Sequence, residues 1–346
     1  MNKNTLLRKS CLIKALSLSM FLAVGCQTEY PETIHVEGGR LHIQGLAIDK
    51  SEKCLYSSFT STFFKSDLEG QTLGSITGIN GHLGAMSFNE KADKVYASLE
   101  IKNDAIGRSI SDVLGKERHS DSAAGFYVAE IDVTKITGLD VPFEEAVTLH
   151  RLEEVVKDYQ DSVEVDGKVL AHRYGCSGID GIAIAPEFGS RSSKKYLYVA
   201  YGIYGDTKRQ DNDYNVLLCF DFEDLTTPIH KYFVKTGNTT YGVQNMCYDK
   251  HSDRLYLAVY KGKKEEYPNY SMFALDMDQK PFMGTLDGVP YQEGEVEQVK
   301  VSEASHFPHG STGLYSFGDG RWYVSIKGSK DGVQYSDITL YNSLEE

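Results

Sequence analysis

An all-β fold built from five copies of one four-stranded unit is what the sequence predicts, on three observations. A Gly, or Asn in one copy, opens a short apolar run at five places: Gly45-Leu46-Ala47-Ile48, Gly84-Ala85-Met86, Gly181-Ile182-Ala183-Ile184, Asn245-Met246-Cys247 and Gly313-Leu314-Tyr315. After a polar turn, each run is followed by an apolar residue and then Tyr: Leu55-Tyr56, Val95-Tyr96, Leu197-Tyr198, Leu255-Tyr256 and Trp322-Tyr323. The copies recur at a mean spacing of 67 residues over the four intervals from 45 to 313. Four-stranded sheets repeated radially make a β-propeller. Alternating strands alone suit a β-sandwich or jelly roll equally well. Five aligned apolar-Tyr pairs favour the radial arrangement.

Taken in order, each unit reads as an innermost strand, a second strand with the Tyr, a longer loop and a third strand. An acidic residue marks the third strand in four units, Asp67, Asp132, Asp221 and Asp276, and Asn342 stands there in the fifth. Segments 72–77, 146–152, 229–234 and 296–301 supply fourth strands. The fifth unit ends near Asn342 without one, and segment 33–37 can supply it. That joins the two ends of the chain in one sheet and removes an exposed edge. The expectation is five blades over residues 33–346. Six is the alternative, if the long gap from 133 to 178 holds a degenerate blade.

Residues 1–25 read as a leader. Lys3, Arg8, Lys9 and Lys14 form a basic start, and the apolar run from Ala15 to Gly25 is too short for the ~20 residues a spanning helix needs. It ends Ala23-Val24-Gly25-Cys26, which resembles the lipobox of bacterial lipoproteins, with Ala23 where Leu is commoner. The resemblance implies lipidation at Cys26, a short linker over 26–32, and a membrane contact through the lipid alone. An ordinary cleaved signal peptide is the alternative, and both imply export. Gln27 in place of Asp implies the outer membrane.

Removing four basic and no acidic residues takes the net charge from −13 to −17, which disfavours nucleic acid as a partner. Cys54, Cys219 and Cys247 lie in predicted strands as small hydrophobes. Cys176 lies in a Gly-rich loop, and no pair has the CxxC spacing of a redox or zinc site.

Residues just before each innermost strand meet around a propeller axis. Here they are Gln44, His82, Asp180, Gln244 with Asn245, and His309 with Ser311. Such a cluster suits a metal, acid–base chemistry with His, or the bonding of channel waters. No residue is assigned to a metal, although calcium is compatible with the acidic run Asp211-Asn212-Asp213, which lacks the Gly and distal Glu of an EF-hand loop. The loops on the same face carry Lys102, Arg108, Arg173, Arg209, Lys261, Lys263, Lys264 and Lys327. Basic groups on an acidic protein point to an anionic partner, with Arg173 and Arg209 suited to two-point contact.

The pattern as a whole resembles β-propeller proteins, some of which act on carbohydrates. A two-carboxylate glycosidase needs a second axial carboxylate, and only Asp180 is legible. A lyase-like or hydrolytic mechanism with His82, Asp180, Tyr241 and His309 as catalytic groups is the enzyme reading. Gln44, Arg173, Arg209, Gln244 and Asn245 would bind an acidic glycan or other anionic small molecule. The alternative is a non-catalytic surface lipoprotein whose loops bind a glycan or a protein.

Overall fold

The computed structural model describes residues 30–120 and 124–344. The leader and Cys26 lie outside the described residues. The described residues from Pro31 onward form one compact unit, a five-bladed β-propeller with four antiparallel strands in each blade.

The first blade is Gly45–Ile48, Leu55–Ser58, Phe63–Ser66 and Thr72–Ile76. The second is His82–Asn89, Lys94–Ile101, Gly125–Ile131 and Val147–Arg151. The third is Cys176–Ala185, Tyr196–Ile203, Tyr214–Phe220 and His230–Lys235. The fourth is Thr239–Asp249, Arg254–Lys261, Met272–Asp276 and Glu303–Ser305. The fifth is Leu314–Ser316, Trp322–Lys330 and Val333–Tyr341, completed by Thr33–Gly39 from the other end of the chain. That strand pairs Thr33 with Thr339 through Glu37 with Tyr335, as the sequence predicted. Each innermost strand packs on those of its neighbours, and the fifth returns to the first, so the ring is closed.

The repeat residues now have physical roles. Innermost strands crowd at the axis. A Cβ on Gly45 would stand 2.7 Å from the Ala85 backbone, and one on Gly84 would stand 2.3 Å from Ser98 Oγ. In three blades the Tyr packs across the gap to the next. Tyr56 stacks on Phe88 at 6.0 Å, and Tyr96 meets Phe222 edge-on at 5.2 Å. Tyr256 meets Trp322 edge-on at 5.0 Å. The recurring Asp at the third strand is a turn anchor: Asp67 accepts from the backbone of Glu69 and Gln71, and Asp132 from Thr134. These contacts are satisfied locally.

Two expectations need correction. The fourth strand of the fourth blade is Glu303–Ser305, not segment 296–301. Val296–Gln298 instead pairs in parallel with the outer strand of the third blade and antiparallel with Phe282–Gly284. The excursion between the third and fourth strands of blade four thus covers an edge that would otherwise be open. The gap 133–178 contains no sixth blade. It holds the helix Glu153–Gln160 and a lone hairpin, Ser162–Val165 with Lys168–Ala171.

Candidate functional site

Three consecutive innermost strands depart from regular pairing where they reach the axis. The register shifts lie between Leu83 and Met86, between Ile179 and Ile182, and between Thr240 and Asn245. Bulges re-aim side chains, and here they accompany His82, Asp180 and Gln244. Tyr241 has φ +64° and Gly242 φ +72°, so the turn into the third bulge is left-handed.

His82 and Asp180 meet: Nδ1 of the imidazole is 3.3 Å from Oδ1 of the carboxyl. Neither atom makes a hydrogen bond among the described residues, and both are fully buried. The spacing would suit an ion pair, but the directions miss, and burial together with the Lys102 charge lowers the His82 pKa to about 3. The imidazole is therefore neutral. Burial, and next the charge of Glu100, push the Asp180 carboxyl well above its usual range.

Glu100 is the residue that sequence reasoning missed. It pairs with His82 across the hairpin of the second blade, and its Oε2 lies 3.9 Å from His82 Nδ1. Its Oε1 accepts from the Ile179 backbone N–H. Lys102 Nζ stands 2.6 Å from Oε2 and 3.4 Å from Asp104, and donates to the Ser177 carbonyl at 2.8 Å. Burial raises the Glu100 carboxyl while Lys102 opposes that shift. The available signal was register: Glu100 stands next to last in the strand Lys94–Ile101 that follows the one His82 begins. A helix, Ala105–Leu114, begins directly after, capped by Asp104 and ended by Gly115 at φ +63°. It closes a water-sized cavity lined by His82, Glu100, Lys102 and Ile110.

The donor atoms of His82, Glu100 and Asp180 all lie within 4.8 Å of one another, close enough to share one cation. Gln244 donates to Asp180 Oδ2 at 3.1 Å and to the Tyr241 carbonyl at 3.0 Å. Tyr241 itself is 54% exposed, edge-on to Tyr260 at 6.2 Å. Lys327 donates to the Tyr260 hydroxyl at 3.1 Å. Burial, and then the Lys327 charge, lower the His42 pKa to about 4. His42 and Lys327 therefore belong to the same electrostatic neighbourhood as the axial cluster.

The other expected residues have different surroundings. Asn245 donates to the carbonyls of Gln44 at 2.8 Å and Ser311 at 3.0 Å, tying three blades together at the axis. The Gln44 amide meets His42 at 3.1 Å and Thr60 at 3.2 Å. His309 is half-buried beside Phe307, with ring centroids 6.1 Å apart, and is not a member of the cluster. Arg173 is paired with Asp161 at 3.1 Å and lies over the Tyr174 and Tyr291 rings. Arg209 grips Asp211 with two bonds of 2.8 and 2.7 Å and two backbone carbonyls besides. The run Asp211-Asn212-Asp213 is likewise engaged, since Asp213 holds the buried Lys264 at 2.5 Å and Tyr267 at 2.8 Å. These groups bind loop to loop. Cys176 is buried, and burial pushes its thiol up, away from reactivity.

No family model matches the chain, and no curated protein matches it. Solved structures with similar folds include a gluconolactonase from Xanthomonas campestris, at 9% identity over 87% of this chain and 88% of that one, with a TM-score of 0.32. A regucalcin described as a calcium-binding protein, from Agrobacterium tumefaciens, is 13% identical over 89% and 96%, at 0.38. A calcium structure of a Trichoderma reesei carbohydrate-active enzyme is 11% identical over 86% and 80%, at 0.41.

Proposed function

We propose that this chain binds an anionic, sugar-class small molecule at the axial end, as an exported protein anchored by lipid at Cys26. The observation that carries the reading is the pair of buried, unbonded atoms, His82 Nδ1 and Asp180 Oδ1. A buried polar atom without a protein partner costs ~1–3 kcal/mol unless water or a ligand satisfies it, so two such atoms side by side at the axis offer bonding capacity to a ligand. The surrounding groups suit the ligand class. Tyr241 offers an exposed ring, Gln244 an amide, and Lys327 a cation bonded to a hydroxyl rather than to a carboxylate. Arg173 and Arg209, already paired, are left to the scaffold.

Turnover at the same site is a second reading, favoured by one observation. A neutral imidazole beside a carboxyl whose proton affinity is raised by burial and by Glu100 suits a base–acid pair. Titrating the protein with uronate, sulfated and phosphorylated sugars tests both readings. A rise in melting temperature lost in Lys327→Ala and His82→Ala supports binding, and consumption of the ligand adds turnover. No shift with any of them sinks the reading. Anchoring is tested separately: Cys26→Ser abolishes palmitate labelling if the leader is read correctly, and normal labelling refutes it.

A further inference from the structure

We propose that His82 Nδ1, Glu100 Oε2 and Asp180 Oδ1 form a binding site for one first-row transition-metal dication, Zn²⁺ or Mn²⁺, with Lys102 as the counter-charge that steadies the carboxylates without the ion. The site does not depend on the identity of the axial ligand. If the ion binds, it offers an anionic ligand a positive centre, but the ion is a claim by itself.

Geometry is the first support. The donor separations include 3.3 and 3.9 Å, and all three fall within 4.8 Å. Ligands at ~2.0–2.2 Å from a shared ion stand roughly 3–3.5 Å apart in a tetrahedral or octahedral shell. The observed triangle is slightly wider than that and closes with small side-chain movements. Two of the three donors make no hydrogen bond, so taking up an ion breaks nothing at His82 Nδ1 or Asp180 Oδ1.

The outer contacts are the second support. Each carboxylate has one oxygen held by a neutral protein donor, and its other oxygen lies near His82 Nδ1, free on Asp180 and shared with Lys102 on Glu100. Glu100 Oε1 accepts from the Ile179 N–H, and Asp180 Oδ2 accepts from Gln244 at 3.1 Å. Such partners orient metal ligands. The donors also sit on strands of two packed blades rather than on loops, which fixes their spacing. Lys102 competes for Glu100 Oε2, yet it has somewhere to go, with Asp104 at 3.4 Å and the Ser177 carbonyl at 2.8 Å. Three carboxylates, on Glu100, Asp104 and Asp180, surround that one ammonium. An imidazole nitrogen beside two carboxylates selects a transition metal over Ca²⁺, which favours six to eight oxygens.

The test uses the full-length chain, purified without a polyhistidine tag and stripped with chelator, and then titrated with Mn²⁺, Zn²⁺ or Ca²⁺ alone. Calorimetry, and electron paramagnetic resonance for Mn²⁺, read stoichiometry and affinity. One ion per chain is expected, weakened at least tenfold by Asp180→Asn and by His82→Ala, and Ca²⁺ at least tenfold weaker than Mn²⁺. Lys102→Met binds Mn²⁺ more tightly than the parent. If that variant melts early, added Mn²⁺ raises its melting temperature more than the parent's. Failure to bind Mn²⁺ or Zn²⁺ at 1:1 overturns the proposal, as does binding that survives both substitutions. Ca²⁺ binding as tight as Mn²⁺ overturns the choice of metal. Loss of the metal with a sugar-induced thermal shift retained would remove this site and leave the ligand reading standing.

Discussion

Two buried clusters of charged groups, built from similar residues, have opposite characters. In the loop cluster, Arg209 is bonded to Asp211, and Lys264 to Asp213 and Asn212. Asp211 also takes the Tyr291 hydroxyl at 2.8 Å, and Asp213 takes that of Tyr267 at 2.8 Å. Every charge there has an opposite neighbour. The unpaired atoms at its margin belong to neutral amides, on Asn215, Asn238 and Asn269. In the axial cluster, Lys102 satisfies one oxygen of Glu100, and His82 Nδ1 and Asp180 Oδ1 have no partner. A closed cluster fixes loops in place. An open one at a point of fivefold convergence has capacity to bind.

The largest effect is expected from breaking the closed cluster. Lys264→Met leaves Asp213 buried without its cation, at a cost of ~3–5 kcal/mol, seen as a lowered midpoint in denaturant unfolding. A loss under ~1 kcal/mol would mean that water satisfies the carboxylate and that the cluster is not closed.

Next comes ring closure, on which both clusters depend. Deleting residues 27–38 removes most of the strand paired with Val333–Tyr341 and should lower the melting temperature strongly. Among the described residues, deleting 27–32 removes the buried Tyr30 ring and two backbone acceptors, Pro31 for the Tyr323 hydroxyl and Glu32 for the Leu340 N–H. That should cost ~1–3 kcal/mol. Equal melting temperatures would contradict closure by this strand.

Within the axial cluster the two carboxyls should behave unequally. Glu100→Gln leaves Lys102 facing fewer charges and destabilises the fold by about 2–4 kcal/mol, while Asp180→Asn costs nothing or stabilises slightly. Urea midpoints of the two variants decide it, and a larger loss for Asp180→Asn would reverse the assignment of roles.

A smaller effect concerns His42, half-buried and neutral near the Lys327 charge. Its pKa falls from 6.5 in the unfolded chain to about 4 in the fold. Between those values the unfolded chain binds the extra proton, so His42 makes stability fall as pH drops through that window. His42→Gln should flatten the unfolding free energy between pH 6.5 and 4, and an unchanged slope would show that the imidazole is already charged.

The comparison also explains what the sequence could tell. Blade period, the Tyr pairs and the closing strand are carried by local patterns, so they were legible. His82, Asp180 and Gln244 were legible because a repeat places strand starts at the axis. Glu100 was not, since it reaches the axis only through its pairing with His82. The basic loops were read as an anion surface because pairing is set by the fold: Lys264 meets Asp213, 51 residues away, while Arg209 turns back on Asp211, two residues on. The three-residue outer strand Glu303–Ser305 is too short and polar to carry a pattern.

The most direct measurement is anomalous diffraction from crystals of the protein soaked in Mn²⁺, because both clusters contain carboxylates that could attract the ion. The account predicts one peak between His82, Glu100 and Asp180 and none at Asp211–Asp213. A peak at the loop run, or no peak at the axis, would contradict the claim that the axial cluster is the one open to binding.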